Sequence, residues 1–155
     1  MRKALYQSSI GILTMVSDGN SLTELKFGEP KEYLDTQALP IFKETRRWLD
    51  LYFSGKKPDF MPPLKPQGTP FQKKVWRELL TIPYGQTITY GAIAKRIGYR
   101  SAQAVGQAIH RNPIAIIIPC HRVIGADGSL TGYASGLEIK RKLLQIEEIA
   151  IFAPK

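Results

Sequence analysis

The chain has 155 residues, 43% of them apolar and 23% charged, with a formal net charge of +9 at neutral pH. That length and composition suit a globular protein of one compact body or two small subdomains with a real core. One cysteine excludes an internal disulfide, and with only two histidines beside it the chain falls short of the about four ligands of a structural zinc site, so no metal or other cofactor is expected. No run approaches the roughly 18 apolar residues of a membrane span, and "MRKALYQSS" does not read as a secretory signal, so the expected setting is a reducing cytoplasm with no membrane partner.

The N-terminal third has the composition of a small antiparallel sheet. "KALYQSS" and "IGILTMVS" read as strands, "DGN" at Asp18–Asn20 is a hairpin turn, and "SLTELKF" alternates beyond it. "TQALPIFKETRRWLDLYFSG" then predicts an amphipathic helix with Ile41, Thr45, Trp48, Leu49 and Tyr52 on one face and Gly55 as its stop. None of this carries chemistry, and its aromatic stripe reads as core. "KKPDFMPPLKPQGTP" has five prolines in fifteen residues and no periodicity, which makes it the connector between subdomains at 1–66 and 67–155.

After the connector, Thr69 caps and Pro70 opens a helix whose Phe71, Val75, Leu79 and Ile82 share a face. "TITYGAIAKRIGYRSAQAVGQAIHRNP" follows with helix-turn-helix grammar: a first helix over 90–97 ends at Gly98, and Ser101 caps a second that Pro113 stops. Projected at 100° per residue, the second helix turns Ala102, Val105 and Ile109 to the core and Gln103, Gln107 and His110 outward. Gly106, which costs about 1 kcal/mol against Ala in a helix interior, implies a close approach to the backbone, either by another helix or by a partner. "GLEIKRKLLQIEEIAIF" predicts a closing helix with a mixed face. The expected class is therefore α+β: a small antiparallel sheet with a helix, then a helical, winged-helix-like domain.

Charge adds a functional hint. Residues 1–67 carry ten Lys/Arg against eight Asp/Glu, and residues 68–155 twelve against five. No acid occurs between Glu78 and Asp127, while Lys95, Arg96, Arg100, Arg111 and Arg122 do. Such a segment suits a polyanion whose phosphates carboxylates would repel; a solvated basic surface is the alternative. Within the same segment "IAIIIP" reads as a buried strand, and at its exit stands the lone thiol, Cys120, directly before His121. A thiolate is the reactive form of cysteine, and a histidine oriented by a third group can take its proton; Glu147 in the closing helix is a candidate for that third group. Neighbours in an extended strand point apart, so the relay needs a sharp turn at Pro119–Cys120 or a bridging water. An inert buried cysteine beside a structural histidine is the competing reading.

"PCHRVI", preceded by "NP" and followed by "GYASG", resembles the active-site signature of the O6-alkylguanine-DNA alkyltransferases, the methylated-DNA–protein-cysteine methyltransferases. The resemblance extends over "TPFQKKVW", "IPYGQTITY" and "AVG" in matching order, about the last 85 residues. It implies repair of double-stranded DNA by irreversible, single-turnover transfer of an alkyl group from O6-alkylguanine, with O4-methylthymine as a second candidate, to Cys120. His121 would act as base through a water, oriented by Glu147. Tyr90 would crowd the target phosphate and protonate the leaving base, Asn112 would tie the recognition helix to the active-site turn, and Val123, Tyr133 and Ala134 would line the base pocket. The second helix would enter the minor groove through Ala102, Ala104 and Gly106, with Lys95, Arg96, Arg100 and Arg111 toward phosphates. Such a protein would act as a monomer at the nucleoid. The family often places an arginine where this chain has Gln103, and glycine where it has Ser135; the zinc ligands of some relatives are absent. A non-enzymatic helix-turn-helix protein that binds or senses damaged DNA is the rival reading.

Overall fold

The computed structural model describes residues 1–31, 38–98, 101–130 and 132–149. Contacts divide the chain into two units, one formed by Met1–Gln67 with Pro113–Ala115, the other by Gly68–Asn112 and the chain from Ile116 onward.

In the first unit, β1 (Arg2–Ser8), β2 (Gly11–Ser17) and β3 (Leu22–Phe27) form an antiparallel sheet in that order. Register places Ala4 opposite Met15, Tyr6 opposite Leu13 and Met15 opposite Leu25, so one face of the sheet is continuously apolar. The second turn closes as expected, with the Asp18 carboxylate accepting from the amides of Asn20 and Ser21 at 2.9 Å each. Helix α1 (Pro40–Phe53) packs against β1 and β3, burying Ile41, Thr45, Trp48, Leu49 and Tyr52 together with Phe42. Its expected start at Thr36 and Gln37 lies outside the described residues.

The proline-rich connector is more structured than its composition suggests. Leu22 donates to the Pro63 carbonyl and accepts from the Lys65 amide, both at 2.8 Å, which makes a bridge between Leu22 and Leu64. Proline lacks a donor but keeps its carbonyl, so such a segment can dress the edge of β3. Further along that strand Leu25 exchanges hydrogen bonds of 2.9 Å with Pro113 and Ala115.

The second unit begins with α2 (Pro70–Leu79), whose N-terminus is a full capping box between Thr69 and Gln72. Its Trp76, fully buried, donates its indole N–H to the Ala108 carbonyl at 2.8 Å and so fastens α2 to the helix-turn-helix. After β4 (Ile88–Thr89) come α3 (Tyr90–Arg96), capped by Thr89, and α4 (Ala102–His110), capped by Ser101. Val105, Ala108 and Ile109 form the buried face of α4. Ala102, expected on that face, is exposed: at the first helical turn it lies beyond the neighbouring packing.

"IAIIIP" is buried throughout, yet it is not a strand. Only Ile114 bridges, to Leu25; the chain then turns, with Ile116 in the left-handed region at φ 71°. Burial on all sides explains the apolar run without sheet pairing. A one-turn 3-10 helix at Cys120–Arg122 follows and leads into β5 (Val123–Ile124), parallel to β4. The closing α5 spans Leu137–Ile146, shorter than expected; Glu147 is its C-cap rather than an interior residue.

Candidate active site

The turn that the thiol–imidazole pair required is the 3-10 turn after Pro119, which carries Cys120, His121 and Arg122 in successive positions, all buried. Asn112, just beyond α4, braces it from the side. Its amide N–H2 group donates to the Ile118 carbonyl at 2.8 Å and to the Cys120 Sγ at 3.2 Å.

Behind the thiol the geometry is set by one carboxylate. Glu147 Oε2 lies 2.6 Å from His121 Nε2, while Oε1 accepts from Arg122 Nε at 2.8 Å and from the Gly85 amide at 3.0 Å. Arg122 also donates to the Ile82 carbonyl at 2.8 Å and lies over the Tyr84 ring. Its expected place among cations available to a polyanion is therefore wrong: it is 7% exposed and committed to Glu147. The Glu147 carboxylate and the Ile82 carbonyl, both distant in sequence, are what hold the guanidinium inside.

Both members of the pair are neutral at rest. Burial pushes the Cys120 thiol above its ordinary value, although the Asn112 amide, the Lys140 ammonium and the Tyr133 hydroxyl each pull it back. For His121 two influences oppose each other. Burial, aided by the Arg122 and Lys140 charges, lowers its pKa, and the Glu147 carboxylate raises it. Burial wins, because the single negative charge of Glu147 is already shared with Arg122.

Lys140 is the residue the sequence reading missed. It sits on α5 with no exposed surface, donates to the Val123 carbonyl at 2.6 Å, and has its pKa pushed down to about 8 by burial. Its spacing three residues after Leu137 and four before Leu144 was the available signal. Val123 is fully buried, Tyr133 is half-buried with its hydroxyl toward the thiol, and Ala134 is exposed.

On the helix-turn-helix, Ala102, Gln103, Lys95, Arg96 and Arg111 are all exposed, with Arg96 3.9 Å from Glu78; Arg100 lies outside the described residues. Gly106 would tolerate a Cβ, whose nearest contacts would be the Tyr90 ring at 3.8 and 4.0 Å. Internal packing therefore does not demand glycine there. His110 is exposed as a residue, but its ring stacks on Tyr90 instead of pointing freely outward.

Known proteins are similar to this chain in sequence and in fold. The DNA binding domain of 6-O-methylguanine DNA methyltransferase matches residues 70–149, and the ribonuclease-like domain of the same enzymes matches residues 1–66. The methylated-DNA–protein-cysteine methyltransferases of Methanosarcina acetivorans and Methanosarcina barkeri are 48% and 50% identical, over 95% and 93% of this chain and 98% and 95% of theirs. The Mycobacterium tuberculosis OGT in complex with DNA superposes with a TM-score of 0.87 at 45% identity, covering 96% of this chain and 93% of that one. With both domains matched in order along one chain, and a thiol, imidazole and carboxylate gathered at one turn, the protein belongs to the 6-O-methylguanine DNA methyltransferase family.

Proposed function

We propose that the protein repairs double-stranded DNA by moving the alkyl group of O6-alkylguanine onto Cys120, once per molecule. The observation that carries the reading is the relay behind the lone cysteine: His121 Nε2 at 2.6 Å from a Glu147 carboxylate that Arg122 and the Gly85 amide hold in place.

The chemistry follows from the charges. A protonated thiol in a buried site resists random alkylation and needs its base only when substrate is bound. His121 takes the thiol proton, directly or through a water, and Glu147 stabilises the imidazolium that forms. The thiolate attacks the alkyl carbon, a C–S bond forms, the C–O6 bond breaks, and its electron pair passes into the guanine ring. Tyr90 supplies a proton to the ring nitrogen that gains this charge. A thioether does not revert, so the protein is consumed. Because O6 lies inside the duplex, the base must leave the stack, at a cost of a few kcal/mol. In this reading residues 67–155 do this work: Asn112, Val123, Tyr133 and Ala134 frame the base, and Gln103 fills the gap it leaves. Lys95, Arg96, Arg100 and Arg111 contact phosphates, Ala102 and Gly106 admit the groove, and a monomer in the cytoplasm suffices. Among the described residues no helix is long and apolar enough to cross a membrane.

The test is intact-mass and peptide analysis after incubation with methylated duplex. One methyl on the peptide holding Cys120, ending at about one equivalent, is the expected result. Cys120→Ser should take up none while still binding DNA, because a serine hydroxyl lacks the thiolate's nucleophilicity. A parent protein that binds damaged duplex with unchanged mass is a sensor instead.

A further inference from the structure

His110, the last residue of α4, is an unexpected neighbour of the reactive site. Its ring stacks on Tyr90 with centroids 6.2 Å apart and planes inclined by 28°. The same ring covers Gly132 so closely that a Cβ there would lie 2.7 Å from His110 Cε1 and 3.1 Å from Nε2. Tyr90 closes the triangle, its hydroxyl donating to the Gly132 carbonyl at 3.4 Å. Three segments distant in sequence thus meet: the start of α3, the end of α4 and the loop that leads to Tyr133.

We infer that His110 is a positioning residue for Tyr90, a flat brace that sets the phenol at a fixed distance from the Gly132 loop and so aims its proton at the base. This rests on the functional reading above, in which Tyr90 is the donor. A flat ring suits this position. The Cε1–Nε2 edge of the imidazole approaches Gly132 more closely than a Cβ would allow, and the same ring stacks on Tyr90. Burial and the Lys140 ammonium keep the imidazole below its usual pKa, so the brace is neutral at pH 7 and adds no charge beside the phenol.

Single-turnover kinetics across a range of DNA concentrations separates the maximal transfer rate from half-saturation. His110→Ala should lower the maximal rate roughly tenfold, with half-saturation within about twofold of the parent. The fractional loss should be equal on methylated duplex and on the free modified base, because both need the proton. His110→Phe keeps a flat ring and should recover the rate. Gly132→Ala drives its new methyl into the imidazole, so it should be costly alone and add little in the His110→Ala background. Thermal melting of each variant separates these losses from unfolding. A His110→Ala protein as fast as the parent, a His110→Phe protein as slow as His110→Ala, or additive penalties for the two sites would each overturn the brace. If the parent itself takes up no methyl, the functional reading has failed; a parent that transfers normally while His110→Ala matches it overturns the brace alone.

Discussion

The two units bury polar groups of different kinds. In the first, the buried polar side chains among the described residues are hydroxyls: Ser8, Thr14, Ser17, Thr23 and Thr45. Each donates to a nearby backbone carbonyl, for example Thr14 to Gly28 and Ser17 to Ser21 at 2.6 Å, and Thr45 to Ile41 at 2.8 Å. In the second they are His121, Arg122, Lys140 and Glu147, all ionisable. A buried hydroxyl with a carbonyl partner contributes about 1 kcal/mol to stability, whereas desolvating a charge costs several kcal/mol that its partners only partly return. The first unit is therefore built as a scaffold. The second accepts an electrostatic cost around one turn, the turn that carries Cys120 and His121.

The largest expected test of this contrast is Glu147→Gln. The amide can still accept from Gly85 and Arg122, but it cannot stabilise an imidazolium. Transfer should slow by about a hundredfold or more, with the apparent pKa of the Cys120 thiol raised, as read from the pH–rate profile. An unchanged profile would remove Glu147 from the relay.

Acid should find the second unit first. His110 and His121 both have folded-state pKa values below the ordinary 6.5. The unfolded chain therefore binds protons before the folded one as pH falls through that value. Stability should decline on acidification by up to about 1.4 kcal/mol per pH unit for the buried His121 until its folded pKa is reached, with less from the more exposed, solvent-screened His110. Denaturant melts from pH 7 to pH 5 measure this slope, and His121→Gln should flatten it. A slope unaffected by His121 would mean that its burial carries no linkage.

A smaller effect belongs to the exposed face of α4. Gln103 has a planar amide that can stack and can both donate and accept hydrogen bonds, though it is shorter than an arginine. Gln103→Ala should slow transfer from duplex by about tenfold, the worth of a modest stacking contact, while the free modified base reacts as before. Gln103→Arg should match or exceed the parent on duplex. Equal losses on both substrates would indicate a folding defect instead.

Smallest of all should be Thr14→Val in the scaffold. Losing its bond to the Gly28 carbonyl should cost about 1 kcal/mol, with no change in the rate of transfer. A change in transfer would show that the first unit shapes the chemistry after all.

Local rules reached far into this molecule because local physics decides those features. Strand alternation, the Asp18 turn, the Thr69–Gln72 capping box and the Ser101 cap depend on residues within a few positions of one another, and all are legible along the chain. The order of the two helices in the helix-turn-helix and the adjacency of Cys120 and His121 belong to the same class. What only the tertiary structure decided involves partners distant in sequence. "IAIIIP" has strand composition, but after the Ile114 bridge to Leu25 the chain turns, with Ile116 in the left-handed region. Arg122 and Lys140 look like surface cations until Glu147, 25 residues from the first, and Val123, 17 residues from the second, supply oxygen atoms for them. His110 lies on the outward side of its helix by projection, and only the return of the chain at Gly132 turns that side into part of the site. A helical wheel knows the direction of a side chain but not what the rest of the chain brings to meet it.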